Sequence, residues 1–196
     1  MNQNYKIGAF LDRDGVITEL PAYQGEEKVE FILIKEQIKF IPESIEGIKL
    51  LNKHKIPVIL ITNQPQIARG LSTKEEAEEI NEEIIKKLEK ENAFVDATYY
   101  CPHHPTKGIN EYKIDCDCRK PKPGLIKKAI AKYDLDVKKS YMVGDRISDI
   151  KAGKLAGCKT IGVKTGYACN DGFKDAIPDV LVENLFEAAK IIVEQK

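Results

Sequence analysis

The sequence predicts an α/β fold with three layers, in which a parallel sheet is flanked by helices. Short apolar runs rich in β-branched residues alternate with segments of helical periodicity along the chain. No repeat, linker or low-complexity tract interrupts this alternation, and 196 residues with 42% hydrophobic side chains suit one domain with its own core. We therefore expect residues 1–196 to form a single domain.

The strands of the sheet are predicted from the apolar runs at residues 6–11, 57–62, 95–100, 140–143 and 159–163. Apolar positions at helical spacing predict helices over residues 44–53, 72–91, 124–133 and 148–156, and a last helix that begins at Asn184. The second helix opens with a capping box, Ser72-x-x-Glu75, and Gly157 ends the fourth.

Residues 15–41 and 101–118 do not fit the alternation, although 29–34 resemble a further strand. Both stretches follow predicted strands. In open parallel sheets the ligand binds beyond the carboxyl ends of the strands. We therefore look for functional residues at these strand ends.

The charge balance and the apolar runs of the chain limit the kinds of partner that it can bind. Lys plus Arg and Asp plus Glu both number 31, so no global field favours a nucleic acid or an anionic membrane. The apolar run at residues 7–11 is too short for a signal sequence or a membrane span. We expect a cytoplasmic monomer with no nucleic-acid or membrane partner.

Two carboxylates directly follow the first predicted strand, in Asp12-Arg13-Asp14-Gly15. Crowded carboxylates repel each other unless one is protonated or a cation lies between them. The pair therefore indicates a metal site or an acid/base pair, although a role in a turn would also explain it.

Other strand ends carry matching chemistry. The second strand ends in Thr62-Asn63-Gln64, which can donate hydrogen bonds to phosphate oxygens, and the fourth is followed by Asp145. Arg119-Lys120 places two cations before a predicted helix, where they could neutralise a phosphate. Together these strand ends predict a phosphate site.

These residues resemble, in the same order, the four motifs of the haloacid-dehalogenase-like phosphohydrolases, a family with a Rossmann-like fold. The matching segments are Asp12-x-Asp14-Gly15-Val16, Thr62-Asn63, Lys120 and Gly144-Asp145-x-x-x-Asp149. The resemblance runs through most of the chain. It implies a phosphatase in which an aspartate carries the phosphoryl group.

The resemblance also implies a role for each matching residue. Asp12 would attack phosphorus, and Asp14 would protonate the leaving oxygen and later activate water. Mg²⁺ would be held by Asp12, Asp145 and the backbone carbonyl of Asp14. Lys120 and the Thr62 hydroxyl would neutralise the phosphoryl oxygens, as phosphoryl transfer requires.

Residues 101–118 contain a second candidate metal site. Cys101-x-His103 and Cys116-x-Cys118 supply four ligands in two pairs, enough to close a tetrahedral, structural Zn²⁺ site. His104 is adjacent and competes as the ligand, but the ligand-x-ligand spacing favours His103. In a reducing compartment such a cluster favours metal over disulfides.

Longer segments resemble the heptose-bisphosphate phosphatase branch of the family, which shares its zinc loop with histidinol-phosphate phosphatases. They are Thr62-Asn63-Gln64, Ile67-Ala68-Arg69-Gly70, residues 99–105 and residues 116–124. The branch implies a small phosphorylated sugar as substrate, namely D-glycero-D-manno-heptose 1,7-bisphosphate, which loses its 7-phosphate. It also implies substrate contacts from Asn63, Gln64, Arg119 and Arg146.

The sequence departs from the branch at residues 20–40 and at Pro65-Gln66, and the first of these regions forms a flap over the active site in the branch. The short insert between the first strand and the first helix predicts no large cap domain. Histidinol-phosphate phosphatase, another sugar-phosphate phosphatase and a polynucleotide 3′-phosphatase are competing hypotheses. A non-catalytic, zinc-containing binding module is a hypothesis of another class.

Overall fold

A computed structural model describes residues 6–21 and 31–195 of the chain. Its strands are β1 (Ala9–Leu11), β2 (Val58–Asn63), β3 (Ala97–Cys101), β4 (Tyr141–Gly144), β5 (Lys159–Val163) and β6 (Val180–Val182). They form one sheet in the order β3-β2-β1-β4-β5-β6, and every neighbouring pair runs parallel. The predicted parallel sheet is confirmed.

The helices are α1 (Pro42–Lys53), α2 (Pro65–Ala68), α3 (Lys74–Lys90), α4 (Gly124–Tyr133), α5 (Ile147–Ala156) and α6 (Leu185–Glu194). The capping box of α3 differs by one residue from the prediction. Thr73 Oγ1 accepts a hydrogen bond from the Glu76 amide at 3.1 Å, and Glu76 Oε2 accepts one from the Thr73 amide at 2.8 Å. Both residue pairs fit the sequence pattern, and the hydrogen bonds select the second.

The sheet separates two hydrophobic layers. Successive residues of β1 point to opposite faces, so Ala9 and Leu11 enter one core and Phe10 enters the other. The first core holds apolar side chains of α1, α3 and α6, and the second holds those of α4 and α5. Burial of each large side chain contributes about 1.5–3 kcal/mol. With helices packed on both faces of the sheet, the predicted three-layer α/β architecture is confirmed. The two cores hold the strands, and therefore their carboxyl ends, in place.

β6 was not predicted from the sequence. It has three residues at the edge of the sheet, and Val180 and Leu181 are exposed. A strand that pairs on one side and buries little apolar surface leaves only a short apolar signal. The prediction of a strand at residues 29–34 is also wrong for its described part. Residues 31–34 form no strand and lead into a 3₁₀ turn at Lys35–Gln37. Residues 29 and 30 lie outside the described residues.

Within residues 6–21 and 31–195, no helix combines the length and the apolar character that crossing a bilayer requires.

Candidate active site and zinc site

The strand order determines where the candidate site lies. β1 is followed in the chain by β2 on one side and pairs with β4 on the other, so the order of the strands reverses beside β1. Crevices form at such switch points, beyond the carboxyl ends of the strands. Asp12 follows β1, residues 62–64 end β2 and continue from it, and Asp145 follows β4. Parallel pairing brings these segments to one edge of the sheet.

Lys120 is a buried cation at this edge. Its ammonium group lies 2.8 Å from Asp12 Oδ1 and 2.7 Å from Asp149 Oδ1, and it donates to the Ile61 carbonyl at 2.7 Å. Lys120 is 3% exposed and Asp12 is 6% exposed. The ammonium therefore has three anionic or carbonyl partners, and it holds the carboxylate of Asp12 in place.

The carboxylates of the site are crowded and desolvated. Burial raises the pKa of Asp12 to about 6, with Asp149 adding to the rise and Lys120 opposing it. Burial also raises the pKa of Asp145 well above its usual range, and the charges of Asp149 and Asp12 raise it further. Burial alone would lower the pKa of Lys120, but Asp12 and Asp149 raise it. The ammonium of Lys120 thus contacts two of three crowded carboxyl groups, those of Asp12 and Asp149.

These carboxylates fit a divalent cation. Oxygens of Asp12, Asp145 and Asp149 all lie within 4.8 Å of one another. Among the described residues, Oδ1 of Asp145 is buried without a hydrogen-bond partner, whereas Oδ2 accepts from the Tyr167 amide at 2.8 Å. An orphaned, buried carboxylate oxygen is destabilising unless a cation binds it. A hard, oxygen-only donor set suits Mg²⁺.

Two glycines keep the space around Asp145 open. A Cβ atom at Gly15 would lie 2.2 Å from Oδ2 of Asp145, and one at Gly166 would lie 2.1 Å from it. Both glycines also have positive φ angles, 88° and 61°. Any side chain at either position would displace this carboxylate, so both residues are needed for its placement.

The three polar residues at the end of β2 face different surroundings. Thr62 Oγ1 accepts from Gln64 Nε2 at 2.8 Å and lines the cavity above Asp12. Asn63 clamps the backbone of Lys120, donating to its carbonyl and accepting from its amide, each at 3.0 Å. Gln64 is 1% exposed and lies behind Thr62. The substrate contact expected of Gln64 therefore does not match its position, because its amide is packed beneath the cavity.

A cavity of about 270 Å³ opens above these residues. The site residues predicted from sequence that line it are Asp12, Asp14, Thr62, Asn63, Arg119, Lys120 and Arg146. Four residues that the sequence did not predict as site residues also line the cavity, namely Arg69, Phe31, Asp171 and Phe173. Arg69 lies in a segment that resembles the branch, which was the available signal, whereas the other three lie in segments without a motif.

Arg146 is oriented by a residue that the sequence analysis did not consider. Its guanidinium carbon lies 3.8 Å from the centroid of the Tyr167 ring. Stacking of this kind fixes the plane of a guanidinium group. Tyr167 is held in turn, because its amide donates to Asp145. The candidate cation site and the cavity-lining Arg146 therefore share one supporting segment after β5.

A second cluster is formed by the four predicted zinc ligands. The sulfur of Cys118 lies 3.2 Å from that of Cys101, 3.0 Å from that of Cys116 and 3.3 Å from Nδ1 of His103. The sulfur of Cys101 lies 3.5 Å from that of Cys116 and 3.8 Å from Nδ1 of His103. Ligands about 2.3 Å from one tetrahedral Zn²⁺ lie roughly 3.8 Å apart, so a bound ion would spread the closer sulfurs by less than about 1 Å. The cysteines are free thiols. The arrangement fits a closed tetrahedral site with no open position.

The crowding of the thiols also favours a cation. Burial raises the pKa of Cys101 above its usual range, and hydrogen bonds to the other two sulfurs raise it further. Burial also raises the pKa of Cys118 to about 11, with the hydrogen bond to Cys116 adding to the rise and that to Cys101 opposing it. His104, the competing ligand, has a different position, since its Nδ1 accepts from the amides of Thr106 and Lys107 at 3.2 and 3.0 Å. His104 shapes the loop, and His103 faces the sulfurs.

The loop over residues 101–118 is joined to the cavity through Arg119. Its guanidinium group donates to the backbone carbonyl of His103 at 3.1 Å. Arg119 also follows Cys118 directly in the chain, so both its backbone and its guanidinium are tied to the cysteine cluster. The cluster therefore controls the position of a cation that lines the cavity.

Comparisons with known proteins agree with this geometry. Residues 117–188 match the family model described as HAD-hydrolase-like. The chain is 39% identical over 189 residues to the D-glycero-beta-D-manno-heptose-1,7-bisphosphate 7-phosphatase of Pasteurella multocida, covering 95% of this chain and 97% of that protein. It is 36% identical to the D-glycero-alpha-D-manno-heptose-1,7-bisphosphate 7-phosphatase of Photorhabdus laumondii, covering 98% and 100%.

A similar solved structure is that of D,D-heptose 1,7-bisphosphate phosphatase from B. bronchiseptica, complexed with magnesium and phosphate. It superposes with a TM-score of 0.80 at 28% identity, and the match covers 97% of this chain and 100% of that one. Both ligands in that complex are of the kind that the carboxylate cluster and the cationic cavity described above would accept.

Proposed function

Since this chain belongs to the family of heptose-1,7-bisphosphate 7-phosphatases, within the haloacid-dehalogenase-like hydrolases, we propose that it removes the 7-phosphate of D-glycero-D-manno-heptose 1,7-bisphosphate. The chain is a phosphatase, and its matches to these two relatives cover at least 95% of each chain. The observation that carries the proposal is the buried Asp12 at the end of β1, paired with Lys120 and open to a cavity with three arginines.

The first chemical step falls to Asp12. A carboxylate oxygen of Asp12 attacks phosphorus while the bond from phosphorus to the sugar oxygen breaks, so the phosphoryl group moves to the enzyme. Although burial raises the pKa of Asp12 to about 6, this value lies below neutrality, and the nucleophile is ionised at pH 7. Lys120 keeps it so, because the ammonium is 2.8 Å away.

Proton transfer falls to Asp14. Its carboxyl group lines the cavity beside Asp12. It gives a proton to the leaving sugar oxygen in the first step. In the second step it takes a proton from the water that attacks phosphorus, and the bond to Asp12 breaks to release inorganic phosphate.

Lys120 and Thr62 neutralise the transferred group. The Thr62 hydroxyl accepts from Gln64, so its own proton is directed to the cavity, while Asp149 anchors the ammonium of Lys120. Mg²⁺, held by Asp12, Asp145 and the carbonyl of Asp14, would add positive charge at the phosphoryl oxygens. Arg119 and Arg146 would contact the rest of the substrate.

The proposal includes a structural Zn²⁺ held by Cys101, His103, Cys116 and Cys118. Its support is the closed arrangement of three sulfurs and one imidazole nitrogen. The ion would hold the 101–118 loop and, through His103, the guanidinium of Arg119. A single domain over residues 1–196, a monomeric state and a cytoplasmic location remain predictions from the sequence.

Phosphate release from a panel of phosphate esters tests the function. The panel holds both anomers of heptose 1,7-bisphosphate, histidinol phosphate, fructose 1,6-bisphosphate and a 3′-phosphorylated oligonucleotide, each with Mg²⁺. We expect one heptose bisphosphate to exceed the other esters about a hundredfold in kcat/KM, equal to roughly 2.7 kcal/mol of discrimination. Asp12→Asn is the control for contaminating phosphatases and should abolish turnover. Equal, slow rates with all esters would contradict the substrate but not the chemistry.

A further inference from the structure

We propose that Arg13, anchored by Asn81 of α3, is a positioning residue that holds the carboxyl group of Asp14 in the orientation needed for proton transfer to the leaving oxygen. The inference rests on the proposed acid role of Asp14. Arg13 stands between the two catalytic aspartates in the chain, but its part in the site follows from its side-chain contacts.

The guanidinium of Arg13 grips Asp14 with two hydrogen bonds. Nε donates to Oδ1 at 2.9 Å, and one terminal nitrogen donates to Oδ2 at 2.7 Å. A two-pronged contact of this kind fixes both the distance and the plane of a carboxyl group, which a single hydrogen bond does not. Arg13 therefore determines the direction in which Asp14 presents its oxygens.

The fork is itself anchored to the helix layer. The other terminal nitrogen of Arg13 donates to Oδ1 of Asn81 at 2.7 Å, a contact between residues 68 positions apart. Asn81 is buried within α3. Arg13 thus links the carboxyl group of Asp14 to α3 and fixes its position relative to that helix. The Thr18 hydroxyl donates a further hydrogen bond to Oδ1 of Asp14 at 2.8 Å.

The exposure of the two side chains separates their roles. The side chain of Arg13 is 1% exposed, whereas that of Asp14 is 15% exposed and lines the cavity. A substrate in the cavity therefore meets Asp14. Arg13 acts through Asp14. Burial of an arginine carries a desolvation cost, and a role in fixing the Asp14 carboxyl group explains why a buried arginine occupies this position.

This role makes a distinctive kinetic prediction. When phosphate leaves a sugar, the alkoxide oxygen takes a proton from Asp14 as its bond to phosphorus breaks. When it leaves p-nitrophenol, the phenolate departs without a proton. Misplacement of Asp14 should therefore slow the sugar ester and spare the aryl ester. Because kcat/KM covers only the steps up to transfer to Asp12, it excludes the later attack of water.

The experiment compares kcat/KM for a heptose bisphosphate and for p-nitrophenyl phosphate, with Mg²⁺, in Arg13→Lys and Asn81→Ala. Arg13→Lys keeps the charge and loses the fork, and Asn81→Ala keeps Arg13 and removes its anchor. General acid catalysis is worth about 10²–10⁴-fold, so we expect a loss of roughly tenfold or more for the sugar ester in Arg13→Lys, and a smaller loss in Asn81→Ala. The aryl ester should stay within about twofold of the parent enzyme.

Glu82→Ala is the matched control, because it changes the neighbouring, exposed position of α3 and should leave both values unchanged. Equal losses with both esters, or no loss with either, would overturn the inference. If Arg13→Lys does not fold, Asn81→Ala carries the test, since alanine favours a helix and leaves the fork to Asp14 intact.

Asp14→Asn separates this inference from the proposed function. If Asp14→Asn keeps the turnover of the sugar ester, the acid role of Asp14 is wrong. If Asp14→Asn loses that turnover and Arg13→Lys does not, only the role of Arg13 is wrong.

Discussion

The ammonium group of Lys120 lies 2.8 Å from Oδ1 of Asp12, and both side chains are almost fully buried. Two residues 108 positions apart in sequence thus form one unit at the end of β1. The same ammonium contacts Asp149, so it neutralises part of a cluster that holds three carboxyl groups. The charges of Asp12 and Asp149 therefore depend on this one cation.

We expect Lys120→Met to lower both stability and activity. It leaves the carboxylates of Asp12 and Asp149 buried without their partner, and breaking a buried ion pair in this way costs about 3–5 kcal/mol. Urea unfolding of the metal-free protein at pH 7 measures that loss. Turnover should fall by at least about 10²-fold, because a fixed charge at the transferred group is removed. Lys122→Met is the control, since that lysine pairs with Asp115 on the surface; a similar loss in both variants would refute the assignment.

Asp145→Asn should abolish activity and stabilise the metal-free protein at neutral pH. The substitution removes one of three crowded carboxyl groups and puts an amide nitrogen in place of the orphaned oxygen, and that nitrogen can donate to the neighbouring carboxylates. The unpartnered oxygen costs the parent protein roughly 1–3 kcal/mol, and the asparagine oxygen can still accept from Tyr167. For a domain of this size each 1 kcal/mol shifts the melting temperature by about 2–4 °C. Thermal melts in a chelator test this. Added Mg²⁺ should raise the melting temperature of the parent protein and not that of the variant.

The pH dependence of stability follows from Asp12. Its pKa is raised from 3.8 in the unfolded chain to about 6, so the folded state binds more protons between these values. Stability of the metal-free protein should include a contribution that is fully present below about pH 4 and is lost as the pH rises through 6. Unfolding free energies of parent and Asp12→Asn protein test the sign. The variant should gain relative to the parent across this window, and a constant difference would contradict the raised pKa.

Removal of the proposed zinc ligand Cys118 by Cys118→Ser should act on substrate binding as well as on stability. Loss of the ion frees the 101–118 loop and the carbonyl of His103 that holds Arg119. We expect metal analysis to show loss of bound zinc and thermal melts to show a lower melting temperature. KM for the heptose bisphosphate should rise, and KM for p-nitrophenyl phosphate should change less. Cys158→Ser is the control, because Cys158 is a buried thiol in the second hydrophobic core. An unchanged metal content in Cys118→Ser would contradict the site.

Tyr167→Leu should raise KM for the heptose bisphosphate, because the stacked ring orients Arg146. A cation–π contact at a partly exposed site is worth about 0.5–1 kcal/mol, so an increase of roughly two- to fivefold is expected. Tyr167→Phe keeps the ring, so it should raise KM less than Tyr167→Leu. If the two variants raise KM equally, or neither raises it, the stacking does not position Arg146.

Much of the fold could be predicted because its signals are local. The apolar runs of β1, β2, β4 and β5 bury side chains on both faces of a parallel sheet, so they stand out from the polar helices between them. β6 escaped because an exposed edge strand of three residues buries too little to leave such a signal. The capping box of α3 was placed one residue early, because two overlapping pairs fit the same pattern.

The sequence alone determined which residues stand at the strand ends and which four side chains could hold zinc. Asp12 and Asp145 each directly follow a strand, and Thr62 lies at the carboxyl end of one. Parallel strands end at one edge whatever the remaining packing. The cysteine and histidine spacing is likewise a local property of the chain.

Only the tertiary structure decided how those side chains are supported. Gln64 lies beneath Thr62, Asn63 clamps the backbone of Lys120, and Arg13 reaches Asn81 on a distant helix. The physical reason is that a polar side chain takes the partners that packing brings within hydrogen-bond distance, and these come from residues far apart in sequence. Strand ends and ligand spacing are therefore properties of the chain, and the orientation of each catalytic group is a property of the fold.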